Sequence, residues 1–202
     1  SNGETITIPV GETTGTSEPV DVRPDNVYKN ADDTVTVSIE STSGGNYEAI
    51  DTSSTATTIV TDDADATVVT LTARAPSVNE GGAIVYTASV NNRVTGSDLV
   101  IKLSNGETIT IPVGENTGTS DPVDIRPDDV YRNADDTITV SIESTSGGNY
   151  EALDTSSTAT TLVTDDADAT IVTLTANAAS VNEGGAIVYT ASVNNRVTGS
   201  DL

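Results

Sequence analysis

The chain contains no cysteine, histidine, methionine, tryptophan or phenylalanine, and tyrosine is its only aromatic residue. Without cysteine, the sequence has neither a disulfide nor a thiol nucleophile. Without histidine, it lacks the most common general base and the most common ligand of transition metals. Zinc, copper and iron sites are therefore not expected.

Positive charge is also scarce. Eight lysine and arginine residues face 31 aspartate and glutamate residues, which gives a net charge of -23. Such a chain repels phosphate groups, so neither nucleic acid nor an anionic membrane surface is expected as a partner. No apolar stretch approaches the roughly 20 residues that a membrane-spanning helix needs. The β-branched residues nevertheless alternate with polar ones between turn signals, which predicts folded strands rather than disorder.

The sequence repeats itself. Residues 1–11 return as residues 104–114, a shift of 103 residues, and residues 1–99 align with residues 104–202 with 11 mismatches. Each unit is large enough for a core of its own, and the period is too long for a helical or leucine-rich solenoid. The repeat therefore predicts separately folded domains, like beads on a string. Such nearly identical repeats favour a function that depends on the number of copies, such as setting length, spacing or reach.

Seven short strands are predicted between residues 66 and 166. Their apolar residues alternate with polar ones, and Asn105-Gly106 is a strong hairpin signal between two of them. The strands cover residues 68–73, 83–90, 99–103, 108–113, 123–125, 137–143 and 158–164. This pattern predicts an all-β fold, a tandem array of Ig-like, seven-stranded antiparallel β-sandwiches.

An acidic segment at residues 61–67, repeated at 164–170, marks the domain boundary. It divides the chain into residues 1–65, the C-terminal part of one repeat, residues 66–168, a complete repeat, and residues 169–202, the N-terminal strands of the next. The two partial repeats would expose apolar strand faces and edges. We expect residues 170–202 of one molecule to supply the strands that residues 1–65 of another lack. The alternative is that the chain is a window on a longer, repetitive protein.

Because each successive strand reverses direction, counting the strands places the acidic loops at one end of the sandwich, here called the lower end. The turn at 77–82, the loop at 126–136 and the exit of the last strand all lie there, and in a string this end touches the upper end of the next unit. The candidate ligands of the complete repeat are Glu80, Asp128, Asp129, Asp135, Asp136, Asp165 and Asp166, and the further candidate Asp168 is assigned to the junction of the next unit. The partial repeats supply Asp25, Asp32, Asp33, Asp62, Asp63, Asp65 and Glu183, with Asn26 where the complete repeat has Asp129.

Calcium is the cofactor that this acidic end favours. Crowded carboxylates repel one another unless a cation neutralises them, and few basic side chains are present to do so. Calcium accepts about six to eight oxygen ligands in irregular geometry, whereas magnesium requires a strict octahedron and is the second choice. Single aspartates also form turns on solvated surfaces, and Asp135 and Asp136 are candidates for such turn caps.

The upper loop at residues 147–154 has two interpretations. One is a second ion site shared with the preceding linker and formed by Asn149, Glu151, Asp154, Asp62, Asp63 and Asp65. The other is a simple glycine turn with Tyr150 packed inward. Tyr86 and Tyr131 are interpreted as core or corner residues rather than as sugar-stacking platforms.

Several motifs resemble those of a known group of modules. Val78-Asn-Glu-Gly-Gly82, Asp128-Asp-Val-Tyr131 and Thr164-Asp-Asp-Ala-Asp168 are similar to motifs of Calx-β and related calcium-binding Ig-like modules. The whole unit resembles the extender repeats of giant RTX-type biofilm adhesins of Gram-negative bacteria, of the large adhesion protein and ice-binding adhesin type. The resemblance covers essentially all 202 residues. It implies calcium-rigidified spacers that hold ligand-binding domains away from the cell after type I secretion.

The sequence therefore predicts an extracellular spacer repeat of a bacterial surface adhesin, with calcium as its cofactor and neighbouring identical repeats as its partners. The rival interpretation is an Ig-like module that binds a carbohydrate or a protein, which requires an exposed aromatic platform or apolar patch. An enzyme is not expected. Paired carboxylates can hydrolyse glycosides, but metal sites explain them better here, and no insertion between the strands forms a cleft.

Overall fold

The computed structural model describes residues 1–202 and consists of strands, turns and loops without any helix. It accordingly has no helix with the length and apolar character needed to cross a membrane. In chain order the strands are β1 (Asp33–Ser38), β2 (Thr55–Val60), β3 (Ala66–Ala73), β4 (Ser77–Asn79), β5 (Ala83–Ile84), β6 (Tyr86–Val90), β7 (Leu99–Leu103), β8 (Thr108–Ile111), β9 (Thr117–Thr119), β10 (Val123–Asp124), β11 (Asp136–Ser146), β12 (Ala152–Asp154), β13 (Thr158–Thr164), β14 (Val172–Ala176) and β15 (Tyr189–Val193).

Two sheets enclose one hydrophobic core between residues 66 and 164. The first sheet has the strand order β4-β13-β11-β7-β8, and the second has the order β12-β3-β6-β9. Strands β5 and β10 form a short separate pair. The predicted all-β sandwich is therefore confirmed.

The core follows directly from the alternation of residue types along the strands, because successive side chains of a strand point to opposite faces. Leu71, Tyr86, Ile101 and Ile109 come from four different strands, and each is at most 2% exposed. The sequence pattern does not decide which face of residues 158–164 is buried; in β13 the inward positions are occupied by Ala159, Thr161 and Val163, whereas Leu162 is 38% exposed.

The boundaries of two predicted strands differ from the structure. The predicted strand at 83–90 is interrupted at Val85, so β5 pairs with β10 while β6 pairs with β3 and β9. Strand β11 extends to Ser146, beyond the predicted end at residue 143. A β-bulge between Ile142 and Ser144 accommodates this length where β11 changes partner from β13 to β7.

The sandwich is not wholly antiparallel and has more strands than the seven predicted. Strand β12 runs parallel to β3, and β4 runs parallel to β13. Both of these added strands have three residues, as does β9. A three-residue segment is too short to show an alternating pattern, so its sequence does not predict a strand.

The flanking segments form one strand pair each. In residues 1–65, β1 pairs only with β2, and in residues 170–202, β14 pairs only with β15. Neither flank closes a sandwich from its own residues, and Ile6, Ile8 and Leu174 are more than half exposed. The flanks together contain counterparts of every core strand except the greater part of β7, residues 100–103. Pairing of the flanks between molecules stays a prediction.

Ile109 and Ile6 occupy equivalent positions of the repeat, but Ile109 is 0% exposed and Ile6 is 57% exposed. Ile109→Ala should lower the free energy of unfolding by about 2–5 kcal/mol, because it leaves a cavity between the sheets. Ile6→Ala is the matched control and should change it by less than about 0.5 kcal/mol. Urea denaturation followed by circular dichroism measures both values. Equal losses would show that residues 1–65 build a core of their own.

Candidate metal site at the unit junctions

Three segments meet at the lower end of the complete sandwich: the turn after β4, the loop between β10 and β11, and the exit of β13. The amide of Glu80 donates to the carbonyl of Thr164 at 3.0 Å, and the amide of Gly81 donates to the carbonyl of Arg126 at 2.9 Å. Gly81 has a φ of 73°, and a Cβ at this position would lie 2.7 Å from Cβ of Asp128. Only glycine therefore lets the turn approach the loop this closely.

Arg126 fixes these segments to one another. Its Nε donates to Oε2 of Glu80 at 2.9 Å, and its Nη1 donates to the carbonyl of Ala134 at 2.7 Å. Its Nη2 lies 3.9 Å from Oδ1 of Asp165. The side chain of Glu80 is completely buried, so this ion pair supplies the counter-charge that a buried carboxylate requires.

Four carboxylates converge next to this ion pair. Glu80, Asp128, Asp166 and Asp168 each place an oxygen within 4.8 Å of the oxygens of the other three. Oε1 of Glu80 is buried and has no hydrogen-bond partner. A buried carboxylate oxygen without a partner is costly, and a cation among the four carboxylates would satisfy it.

The crowding of negative charge disturbs the ionisation of these groups. The charge of Asp128 raises the pKa of Asp168, with smaller contributions from burial and from Asp166. Burial raises the pKa of Glu80, although the nearby guanidinium of Arg126 opposes this effect. In both groups the ionised form is disfavoured without a cation, and a bound cation would remove that penalty.

The junction between residues 1–65 and the complete repeat has an equivalent cluster. Asp25, Asp63 and Asp65 each place an oxygen within 4.8 Å of those of the other two. The charge of Asp25 raises the pKa of Asp65, with further contributions from burial and Asp63. Glu151, from the upper loop of the complete repeat, accepts a hydrogen bond from the amide of Asp65 at 2.7 Å. Its other oxygen, Oε1, is buried and has no partner.

Several predicted ligands lie outside both clusters, and the carboxylates of six of them accept hydrogen bonds from backbone amides. Asp129 accepts from the amide of Tyr131, and Asp165 accepts from the amide of Asn133. Asp136 accepts from the amide of the next residue, as expected for a turn cap. Asp135, Asp62 and Asp33 likewise accept hydrogen bonds, from the amides of Asp165, Asn30 and Thr34 respectively. Asp32 and Glu183 are exposed and also lie outside the clusters.

The upper loop contributes less than the second-ion interpretation requires. Asp154 accepts a hydrogen bond from the amide of Ser156, and Nδ2 of Asn149 donates to the carbonyl of Lys29. Only Glu151 reaches the acidic linker. Tyr150 packs inward, with 5% exposure, as the turn interpretation expects.

The sequence patterns did not predict that Arg126 connects the turn, the loop and the strand exit. The available signal was a basic residue that recurs in an otherwise acidic loop. Arg23, its counterpart one repeat earlier, donates to the carbonyl of Ala31 and forms an ion pair with Asp62 at 3.0 Å. An isolated arginine that is repeated among aspartates therefore indicates an internal ion pair.

Comparison with known proteins gives one family. The family model described as "LapA domain" matches residues 1–63 and 65–166. A search of curated proteins and a search of solved structures found no match.

Asp168→Asn should raise the melting temperature of the metal-free chain at pH 7, because it removes one charge from the crowded cluster. The pKa of Asp168 is raised above its usual value of 3.8 in the folded chain. Its ionised form therefore destabilises the fold at a pH above the raised pKa, and this penalty is absent below pH 3.8, where the carboxyl is protonated in both states. The gain should therefore shrink as the pH falls through the raised pKa. Scanning calorimetry of the metal-free protein at several pH values measures it.

Asp154→Asn is the control of opposite sign. The amide of Ser156 lowers the pKa of Asp154, so its ionised form stabilises the fold at pH 7, and this contribution is lost as the pH falls through the lowered pKa. The substitution should lower the melting temperature at pH 7. If both variants shifted it in the same direction, crowding would not explain the behaviour of Asp168.

Proposed function

Because the chain belongs to the LapA domain family, which is adhesin-related, we propose that it is a calcium-rigidified spacer repeat, an extender, of a bacterial surface adhesin. Family membership supports a cell-surface or extracellular location. In this proposal the repeats hold ligand-binding domains away from the cell for adhesion and biofilm formation, and the adhesin leaves the cell by type I secretion. The acidic residues bind ions and have no catalytic role.

The buried, unpartnered Oε1 of Glu80 among three aspartates is the observation that supports the proposal most strongly. A solvated acidic surface would present its carboxylates to water, whereas this oxygen is shielded from it. Carboxylate oxygens are the ligands that calcium prefers, and calcium tolerates the irregular arrangement of a turn, a loop and a strand exit.

The two junctions contain the same three aspartates of the repeat, but each contains a different glutamate. The junction after the complete repeat contains Glu80 with three aspartates, and the junction before it contains the three equivalent aspartates with Glu151 of the next unit. Superimposing them through the repeat gives four clustered carboxylates from one unit, with Glu151 of the next unit held beside them by the amide of Asp65. In this proposal, an ion bound by the four carboxylates, close to Glu151 of the next unit, makes the joint rigid.

The stabilisation that calcium can add depends on its concentration. Extracellular calcium modules bind with dissociation constants of about 0.1–1 mM. Calcium at about ten times such a constant, about 1–10 mM, stabilises the folded form by about 1.4 kcal/mol per site, compared with a domain's total stability of about 5–15 kcal/mol. Where calcium is scarce, the carboxylates at each joint would repel one another, and the joint would be less rigid.

Calcium should raise the melting temperature of the chain and increase its maximum dimension in solution. Isothermal titration calorimetry and small-angle X-ray scattering, each with calcium and with chelator, measure binding and length. The double variant Asp128→Asn and Asp166→Asn should lose the binding heat of the second junction and keep that of the first. Unchanged length and melting temperature in saturating calcium would contradict the rigid-spacer function.

Asp129→Asn is the matched control for this experiment. It gives the second junction the residue that the first already has, since Asn26 accepts the hydrogen bond from the amide of Tyr28 that Asp129 accepts from Tyr131. Calcium binding should therefore survive this substitution, although it removes the same charge as each of the other two. Loss of binding in all variants alike would indicate a general effect of net charge rather than a defined site.

A further inference from the structure

A second contact crosses the junction, apart from the acidic cluster. Tyr28, from the lower loop of the first unit, stacks on Tyr150 from the upper loop of the complete repeat, with ring centroids 5.6 Å apart and an interplanar angle of 28°. The same two residues form an isolated antiparallel β-bridge. Val27 and Tyr28 also pack against the hydrophobic core of the complete repeat.

Backbone hydrogen bonds extend this contact on both sides of the rings. The amide of Lys29 donates to the carbonyl of Asn149 at 3.0 Å, and the amide of Glu151 donates to the carbonyl of Val27 at 3.1 Å. The two segments, residues 27–29 and residues 149–151, therefore pair like a very short two-stranded sheet. None of these four groups is a carboxylate.

Both tyrosine hydroxyls bind one turn of the complete repeat. The hydroxyl of Tyr150 donates to the carbonyl of Asn92 at 2.7 Å, and that of Tyr28 donates to the adjacent carbonyl of Arg93 at 2.8 Å. The second junction reproduces the latter bond, because the hydroxyl of Tyr131 donates to the carbonyl of Arg196 at 3.0 Å. Tyr131 is therefore not a core or corner residue of its own sandwich, as the sequence analysis interpreted it, but a residue of the junction.

Two glycines determine the shape of the upper loop around Tyr150. Gly147 and Gly148 have φ values of 75° and 66°, a conformation that other residues rarely adopt. A Cβ at Gly147 would collide with the carbonyl of Asp98, and a Cβ at Gly148 would lie 3.0 Å from the ring of Tyr150. The loop is thus built to present Tyr150 beside the turn that both hydroxyls bind.

The repeat shows the same upper loop without a preceding unit. Tyr47 is the counterpart of Tyr150, and it is 77% exposed, whereas Tyr150 is 5% exposed. Part of this difference arises because residues 1–65 do not form a complete core. Even so, the loop at residues 44–48 presents an aromatic ring with no neighbour to cover it.

We propose that residues 27–29 of one unit and residues 149–151 of the next form a tyrosine latch, an interaction surface that joins consecutive repeats without a metal ion. Its partner is the adjacent copy of the repeat, and its contacts are aromatic stacking, hydroxyl-to-carbonyl bonds and paired amides. The latch deepens the proposed spacer function in that it orients two units before an ion binds. Its contacts, however, do not depend on calcium.

The physical basis of this independence is that rings, hydroxyls and backbone groups, all of them uncharged, make the latch contacts, whereas the side chain of Glu151 binds the acidic linker. Stacked aromatic rings attract one another beyond the area they bury, and they do so at any calcium concentration. Burial and the neighbouring Tyr28 raise the pKa of Tyr150 to about 12, so its hydroxyl stays protonated and able to donate at neutral pH. The acidic cluster, by contrast, repels itself until a cation arrives.

Hydrogen exchange of the amides of Lys29 and Glu151 in the 202-residue chain tests the latch, since both amides donate across the junction. In chelator, both should be protected in the wild-type chain. Tyr28→Ala should accelerate their exchange by about two- to tenfold, the range expected from losing an aromatic pair. Tyr28→Phe, which keeps the ring but loses the hydroxyl, should have a smaller effect.

Tyr47→Ala is the matched control, because it removes the same residue type from the same loop where no preceding unit docks, and it should leave both amides unchanged. Protection that appears only with calcium would overturn the latch and leave the calcium spacer intact. Equal exchange in the wild type and in Tyr28→Ala would also overturn it. If both amides were protected in chelator and the chain bound no calcium, the latch would be supported and the proposed calcium function would be contradicted.

Discussion

The lower end of the sandwich depends on the ion pair between Arg126 and the buried carboxylate of Glu80. Without this pair, a carboxylate removed from water would destabilise the fold, and the turn, loop and strand exit would lose the group that connects them. One guanidinium nevertheless satisfies only one oxygen of Glu80 and cannot balance four clustered carboxylates. The fold therefore holds these acids together while leaving them short of positive charge, which is the condition that favours a divalent cation.

The junction combines two kinds of interaction with different requirements. The acidic cluster is strongly charged and sensitive to ions, pH and salt, whereas the tyrosine contact is neutral and sensitive to none of them directly. Because the two lie on the same pair of loops, they act on the same relative orientation of neighbouring units. In the proposed arrangement, the tyrosine contact orients the units in any medium, and a cation bound by the acidic cluster adds rigidity.

Much of the fold could be predicted from the sequence because most of its core strands, such as β3, β6, β7 and β8, alternate inward and outward residues. Ile109 and Leu71 lie inward as their patterns indicate. The three-residue strands β4, β9 and β12 could not be predicted, since such segments carry no pattern and form only because neighbouring strands offer free hydrogen-bonding groups. The interruption at Val85 likewise depends on β10, which lies far along the chain.

The site was predictable at the level of loops but not of individual side chains. Counting strand reversals placed the acidic loops at one end, but it could not distinguish Asp128 from Asp129, or Asp166 from Asp165. In each pair one carboxylate joins the cluster and the other accepts a hydrogen bond from a backbone amide, which for Asp129 belongs to its own loop and for Asp165 belongs to Asn133 of the neighbouring loop. That choice depends on local backbone geometry, which the order of residue types does not determine. The contact of Tyr131 with the next unit could not be predicted either, because counting strand reversals assigns loops to the ends of one domain and does not describe contacts between domains.

The first and last strands of the complete repeat each pair in parallel with a short strand, and this arrangement has a mechanical consequence. The chain enters the complete repeat at the start of β3 and leaves it at the end of β13, and these strands run parallel to β12 and β4 respectively. Tension applied through the neighbouring units would slide β3 and β13 lengthwise past their partners. Every backbone hydrogen bond in a row would then bear the load at once, whereas in a hairpin pulled open from its end the bonds yield one after another. Under stretching, such a domain resists by shear rather than by unzipping.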